Sequence, residues 1–177
     1  MSENSNFNAI FGGVVPTTPS PTINRKFGSF SSQVTQSLLI PLISTPINTE
    51  TTNESDGVSV NLISGNIEFD TAGKYMVEAT ILFHHNSPLS PDSAYAWIQK
   101  SGLDVAESTR SIRLNQNINM TTLTLSYMVN IGVTTDTIRL YFTTSSIDIE
   151  VYYDNSVSGI PNSSSVIVNV FQIADQR

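Results

Sequence analysis

The chain has no cysteine. Disulfides, thiolate metal sites and cysteine nucleophiles are therefore excluded, and the absence suits reducing and oxidising surroundings alike. Charge is scarce too. Only 13% of the 177 residues are charged, about half the usual share of ~25%. Eight Lys and Arg stand against fifteen Asp and Glu, for a net charge of −7, and the basic residues form no stripe. Phosphate backbones are gripped by clustered cations, so no nucleic-acid partner is expected. An anionic membrane surface fits no better. No apolar run approaches the ~20 residues of a membrane span. The opening MSENSNFNAIFGG lacks a basic start and a long apolar stretch. It does not read as a signal peptide, so we expect a soluble protein not exported by the usual signal route.

Ser, Thr and Asn fill the polar positions instead. β-Branched Thr suits a pleated surface, whereas helix surfaces normally carry Glu, Lys, Arg and Gln. With 39% hydrophobic residues the chain can build one core of ordinary size.

Two regions are expected. Residues 1–24 hold Gly12, Gly13, Pro16, Pro19 and Pro21 among Ser, Thr and Asn, and such a segment builds no core of its own. It carries a small apolar cluster of Phe7, Ile10, Phe11, Val14 and Val15. The plain reading is a leader with incidental hydrophobes; the sharper one is an extended arm that docks in a groove of a neighbouring protein. Residues 25–177 form the folded domain.

There the pattern turns to period two, the mark of half-buried strands. Tyr75, Val77, Ala79, Ile81 and Phe83 share one face, and Lys74, Met76, Glu78 and Thr80 the other. Leu123, Leu125, Tyr127, Val129 and Ile131 repeat this against Thr122, Thr124, Ser126, Met128 and Asn130. Ile138, Leu140 and Phe142 form a third set; Ile147, Ile149, Val151 and Tyr153 form a fourth. Further strands are expected over 27–33, 58–62, 67–69, 94–100, 111–114 and 166–173. Turns are expected at 55–57, 64–66, 71–73, 101–102 and 159–162. Eight to ten short strands without a capped amphipathic helix read as an all-β, antiparallel two-sheet jelly-roll sandwich. Strands never alternate with helical patterns, which excludes α/β. In the last strand Val166, Val168 and Val170 make one face apolar, and Ile167, Phe171 and Ile173 the other. Such a strand is buried on both faces. Either another subunit covers Ile167, Phe171 and Ile173, or the strand is central within the chain.

Chemistry is sparse. His84 and His85 are the only histidines. Neighbours on a strand point to opposite faces and do not readily share a metal. Asp148 and Glu150 read as one outward strand face, with Asp154 beyond, a weak hard-cation pattern more simply taken as a solvated edge. Asp92, Asp104 and Glu107 flank loops near Trp97 without an evident acid–base pairing. Nucleophile-elbow, phosphate-loop and zinc-protease motifs are absent. Catalytic residues, metal and cofactor are therefore all expected to be none. Asn53, Asn119 and Asn162 open glycosylation sequons that chance alone explains in so Asn-rich a chain. Tyr95 and Trp97 read as core or interface anchors, or as a sugar-binding face.

Three segments carry a resemblance. Phe69-Asp70-Thr71-Ala72-Gly73-Lys74-Tyr75 resembles the F-x-x-x-G-x-Y start of a central strand in complement-globular-head and tumour-necrosis-factor-like (TNF-like) jelly rolls. Ala96 to Thr109 resembles the W-[IL]-R-K-N-G-x-D-V-x-x-S segment of virion structural proteins with this fold, found in tailed phages and large DNA viruses. Ile160 to Val170 resembles their I-P-x-x-P-S-V-I-x-x-V closing strand. The similarity spans about Gly28 to Ile173. Gln99 replaces the pattern's Arg and Ser101 its Asn. Val133-Thr134-Thr135-Asp136 lacks the Gly of its A-G-D turn.

The resemblance implies a trimer displayed on or built into a virus particle: a minor capsid, cement, spike or head-fibre subunit, localised to the virion. Its partners would be two further copies of itself and, through residues 1–24, other capsid proteins. The alternative is a receptor- or carbohydrate-binding module, used for host attachment or on a cell surface, with specificity in loops 86–94 and 154–163. Pro88, Pro91 and Pro161 would stiffen those loops. A lectin-like or cytokine-like cellular protein ranks third, for want of a signal peptide, and an enzyme last.

Overall fold

The computed structural model describes residues 25–87, 91–115, 119–155 and 162–175. In chain order the strands are β1 (Phe27–Ser32), β2 (Gln36–Ser37), β3 (Thr45–Pro46), β4 (Thr51–Asp56), β5 (Val58–Val60), β6 (Ile67–Phe69) and β7 (Gly73–His85). There follow β8 (Asp92–Lys100), β9 (Leu103–Asp104), β10 (Arg110–Leu114), β11 (Met120–Ile131), β12 (Thr137–Thr144), β13 (Ile149–Val151) and β14 (Val166–Asp175). No helix occurs among the described residues.

The strands form two antiparallel sheets. The first runs β4–β1–β14–β7–β11, with β13 continuing beside the far end of β7 and β2 beyond it. The second runs β5–β6–β12–β8–β10, with β3 on β12 and β9 on β8. After β6 the chain crosses between sheets five times: β7 lies in the first, β8 to β10 in the second, β11 in the first, β12 in the second, and β13 and β14 in the first. This crossing pattern makes the molecule a jelly-roll sandwich rather than a stack of hairpins.

Alternation along each strand decides what lies between the sheets. Tyr75, Val77, Ala79, Ile81 and Phe83 are all buried, as are Leu123, Leu125, Val129 and Ile131 from β11. Ile138, Leu140 and Phe142 meet them from the second sheet. Aromatic pairs tie the layers: Phe83 to Phe142 at 6.2 Å between ring centroids, and Phe69 to Tyr75 at 4.6 Å. Each large side chain fully buried this way contributes about 1.5–3 kcal/mol.

The fourth alternating set holds only in part. Ile149 and Val151 are buried, but Ile147 is 54% exposed because residues 147–148 make the turn before β13. The second-sheet strand at Val58 ends at Val60 rather than 62. Strands β2, β3, β4 and β9 were not expected. The six residues of β4, Thr-Thr-Asn-Glu-Ser-Asp, have no apolar alternation, and only pairing with β1 makes them a strand.

Two ionisable groups brace the sandwich. The Tyr75 hydroxyl donates to the Thr71 carbonyl at 2.8 Å. Burial, then the nearby Asp70 and Asp175, pushes its pKa up to about 12. A raised folded value means that this contribution is intact below about pH 10 and is lost as pH rises towards 12. Tyr75→Phe is expected to cost about 1 kcal/mol at neutral pH and to flatten the fall in stability over that alkaline window. Urea midpoints at pH 7, 10 and 11.5 check this. The Lys26 ammonium, held above its usual value chiefly by its hydrogen bond to Asp56, titrates in the alkaline range in both proteins.

Asp136 closes the turn that lacks the pattern's glycine. Its Oδ2 accepts from the Gly132 N–H at 2.7 Å and the Val133 N–H at 3.3 Å, and pairs with Lys100 Nζ at 2.9 Å. The Lys100 bond, then these amides, hold its carboxyl below the ordinary value. A depressed folded value stabilises above about pH 4 and is lost as pH falls further. Asp136→Ala is expected to cost about 2 kcal/mol at pH 7, with the gap from the parent closing towards pH 3. Thermal melts across that range read it.

Candidate interaction surface

The first sheet turns one face to the core and the other outward. Val166, Val168 and Val170 of β14 are fully buried. Ile167 is 42% exposed, Phe171 43% and Ile173 39%. The strand is central, flanked by β1 and β7, yet nothing among the described residues covers its outward face. The expectation that this strand is buried on both faces is thus corrected for the single chain.

Register organises that face. Phe27 pairs with Phe171, Phe171 with Met76, and Met76 with Met128. Directly opposed residues share a face, so an apolar row crosses β1, β14, β7 and β11. The next row is polar: Ser29, Asn169, Glu78 and Ser126. The row after it is Ser31, Ile167, Thr80 and Thr124. Met76 and Met128 are outward in the sequence pattern. Their alignment with Phe27 and Phe171 comes from pairing between strands almost a hundred residues apart in sequence.

A second apolar feature escaped the sequence pattern. Leu39, Ile40, Leu42 and Ile43, between β2 and β3, all face solvent, Leu39 at 96%. The loop is anchored by the Leu42 N–H to the Thr144 carbonyl at 2.9 Å, with Leu42 at a positive φ of 60°. Period-two reading finds no strand there and so gives these residues no face.

The histidines part as expected. His85 is buried with Nε2 3.3 Å from Asp92 Oδ2, while half-buried His84 has Nδ1 3.3 Å from Glu150 Oε1. Glu150 also accepts from the Ser37 hydroxyl at 3.2 Å. Asp148 lies in the turn before β13, so the expected shared strand face of Asp148 and Glu150 does not form. Among the described residues no three His, Asp or Glu side chains converge as metal ligands.

The segment with the W-x-x-K-x-G-x-D-V-x-x-S pattern braces itself. Trp97 Nε1 donates to Asp104 Oδ1 at 2.7 Å, Lys100 pairs with Asp136, and Gly102 takes a φ of 83°. Buried Ser108 accepts from the Ile98 N–H at 3.0 Å and donates to the Val105 carbonyl at 2.8 Å. Trp97 and Tyr95 sit half-buried on the outer side of the second sheet, not in the core.

The arm residues Phe7, Ile10, Phe11, Val14 and Val15 lie outside the described residues. So do 88–90 and 156–161, which make up much of the two loops expected to carry specificity. A cleft of about 520 Å³ lies at the side of the sandwich, lined by Ser55, Gly57, Glu68, Asp70 and Thr134 among others. Its margin includes the Lys26–Asp70 pair at 3.6 Å.

The fold defines an all-β jelly-roll domain. No protein-family model matches the chain, and no curated protein matches it as a relative.

Proposed function

We propose that this chain is a structural subunit of a virus particle, a trimeric jelly roll of minor-capsid, cement, spike or head-fibre type tethered by residues 1–24. The observation that carries the reading is the outward apolar row Phe27, Phe171, Met76 and Met128, exposed at Phe171 and Met128 and half-buried at Phe27 and Met76. A sheet that leaves such a row open across four strands gains free energy by covering it, at about 25 cal/mol per Å² buried. Exposed rows rimmed by polar residues mark protein contacts. Three copies arranged head-to-tail around an axis cover every such face and leave no open end. The self-braced Trp97–Ser108 segment carries the likeness to virion jelly rolls, and the Phe69–Gly73–Tyr75 start of β7 the likeness to complement-globular-head and TNF-like ones.

The role is binding, not catalysis. The test is the solution mass of the full chain by light scattering behind size exclusion. Three chains, stable on dilution, are expected. Deleting residues 1–24 is expected to leave that mass at three truncated chains and to abolish incorporation into particles. A monomer at all concentrations removes the trimer, and unchanged incorporation removes the tether.

A further inference from the structure

The outer face of the second sheet carries a site that the oligomer reading does not use. Trp97 of β8 and Tyr141 of β12 are direct cross-strand partners. Their ring centroids are 6.0 Å apart and their planes 26° from parallel. The indole is held in place, since Trp97 Nε1 and Gln99 Nε2 both donate to Asp104 Oδ1, at 2.7 and 2.9 Å. Two residues along, Arg139 faces Gln99. Its Cζ lies 5.9 Å from the Tyr141 ring centroid, and its Nη2 donates to Asn48 Oδ1 at 2.7 Å. The guanidinium rests on bare Gly65, where a Cβ would stand 2.9 Å from Nη2. Between the turns at Asn66 and Gly102 the surface dips into a groove of about 320 Å³, lined also by Gln99, Thr137, Arg139 and Tyr141.

Two features select the ligand class. An aromatic ring beside amides and hydroxyls matches a pyranose, which has an apolar C–H face and a rim of hydroxyls. Arg139 adds a cation without a counter-ion. No carboxylate among the described residues lies within 4.0 Å of it. Its Nη1 makes no hydrogen bond among them and stays accessible to a ligand, while its Nε is buried without an acceptor, which costs free energy. A carboxylate is the acceptor whose two oxygens match the guanidinium fork. The other nearby cation, Lys100, is already neutralised by Asp136.

We propose that this groove binds a pyranose bearing a carboxylate, a sugar of the uronic or sialic acid class, with its ring on Tyr141, which Trp97 backs from the neighbouring strand, and its carboxylate on Arg139. The volume lies at the lower end of the ~300–1,000 Å³ of small-ligand sites, so a mono- or disaccharide unit fills it. The proposal is independent of the trimer.

The test is titration of the full chain with glucuronic acid, N-acetylneuraminic acid, glucose and acetate at matched ionic strength, read by saturation-transfer NMR. At least one acidic sugar is expected to bind with a dissociation constant of about 1–10 mM, at least tenfold tighter than glucose or acetate. Arg139→Met is expected to remove that tenfold preference, and Tyr141→Ala to remove saturation transfer to every sugar. Thermal melts establish that each variant is folded. Should Arg139→Met unfold, Arg139→Lys keeps the stem and charge but loses the fork, and a several-fold loss for the acidic sugar is expected. Acetate or glucose binding as tightly as the acidic sugars overturns the proposal. So does the absence of binding by both acidic sugars, or an unchanged preference in a folded Arg139 variant.

Discussion

Phe171→Glu is expected to reduce the solution mass to that of one chain while leaving the fold intact. Phe171 sits in the middle of the outward apolar row, between Phe27 and Met76. It is 43% exposed in the single chain, so the sandwich core does not depend on it. Substitutions at such positions usually move stability by less than about 0.5 kcal/mol. In a packed oligomer the same change places a carboxylate in a desolvated contact, one row from Glu78 of the neighbouring β7. An unpaired buried charge there costs several kcal/mol, more than enough to dissociate a trimer at micromolar concentration. Light scattering on parent and variant reads the mass, and a thermal melt reads the fold. Leu39→Ser is the companion measurement: Leu39 lies in the separate apolar loop, and its change is expected to leave the mass alone. A Phe171→Glu protein that remains trimeric moves the interface off this row.

The second large effect is expected at Gly73. A Cβ there would stand 2.6 Å from the Ala174 carbonyl oxygen and 2.8 Å from Gln172 Nε2. The first neighbour is backbone and does not move aside. The second is a buried side chain that accepts from the Lys26 N–H at 3.2 Å and donates to Asp175 at 3.1 Å. Here β14 shifts register against β7 between Gln172 and Ala174, and the shift brings the two backbones this close. Gly73→Val therefore forces the end of β14 off β7, next to the Phe69–Tyr75 ring pair. Overpacking of this kind costs about 1–3 kcal/mol; with the lost pairing we expect about 3 kcal/mol, a large part of an ordinary domain's 5–15. Gly102→Ala is the contrast. Nothing lies within 4 Å of its Cβ position, and only its φ of 83° resists a side chain, at about 1 kcal/mol. Urea midpoints rank the two. Equal costs would mean that the motif glycine does not serve close backbone approach.

Much of the fold was legible because side-chain direction along a strand has a period of two residues. That rule alone separated Tyr75, Val77, Ala79, Ile81 and Phe83 from Lys74, Met76, Glu78 and Thr80, and the structure buries the first set. It failed where its premise failed. Ile147 has the right parity but belongs to a turn, and β4 is a strand without any apolar alternation. The apolar loop Leu39–Ile43 carries no period to read. Of the candidate interface residues, Ile167, Phe171 and Ile173 were visible as an apolar second face, but Phe27, Met76 and Met128 were not visible as their continuation. The sugar groove was half visible: Trp97 drew attention, while Tyr141, Arg139 and Gly65 did not.

The sequence by itself determined the class of structure, the inward faces of β7, β11 and β12, and the scarcity of positive charge. These follow from composition and from local geometry, which act within a few residues. The tertiary structure alone decided which strands are neighbours and in what register. Pairing of Phe171 with Met76, or of Tyr141 with Trp97, depends on how the chain crosses between two sheets. That crossing is set by the packing of the whole core, to which no local pattern has access.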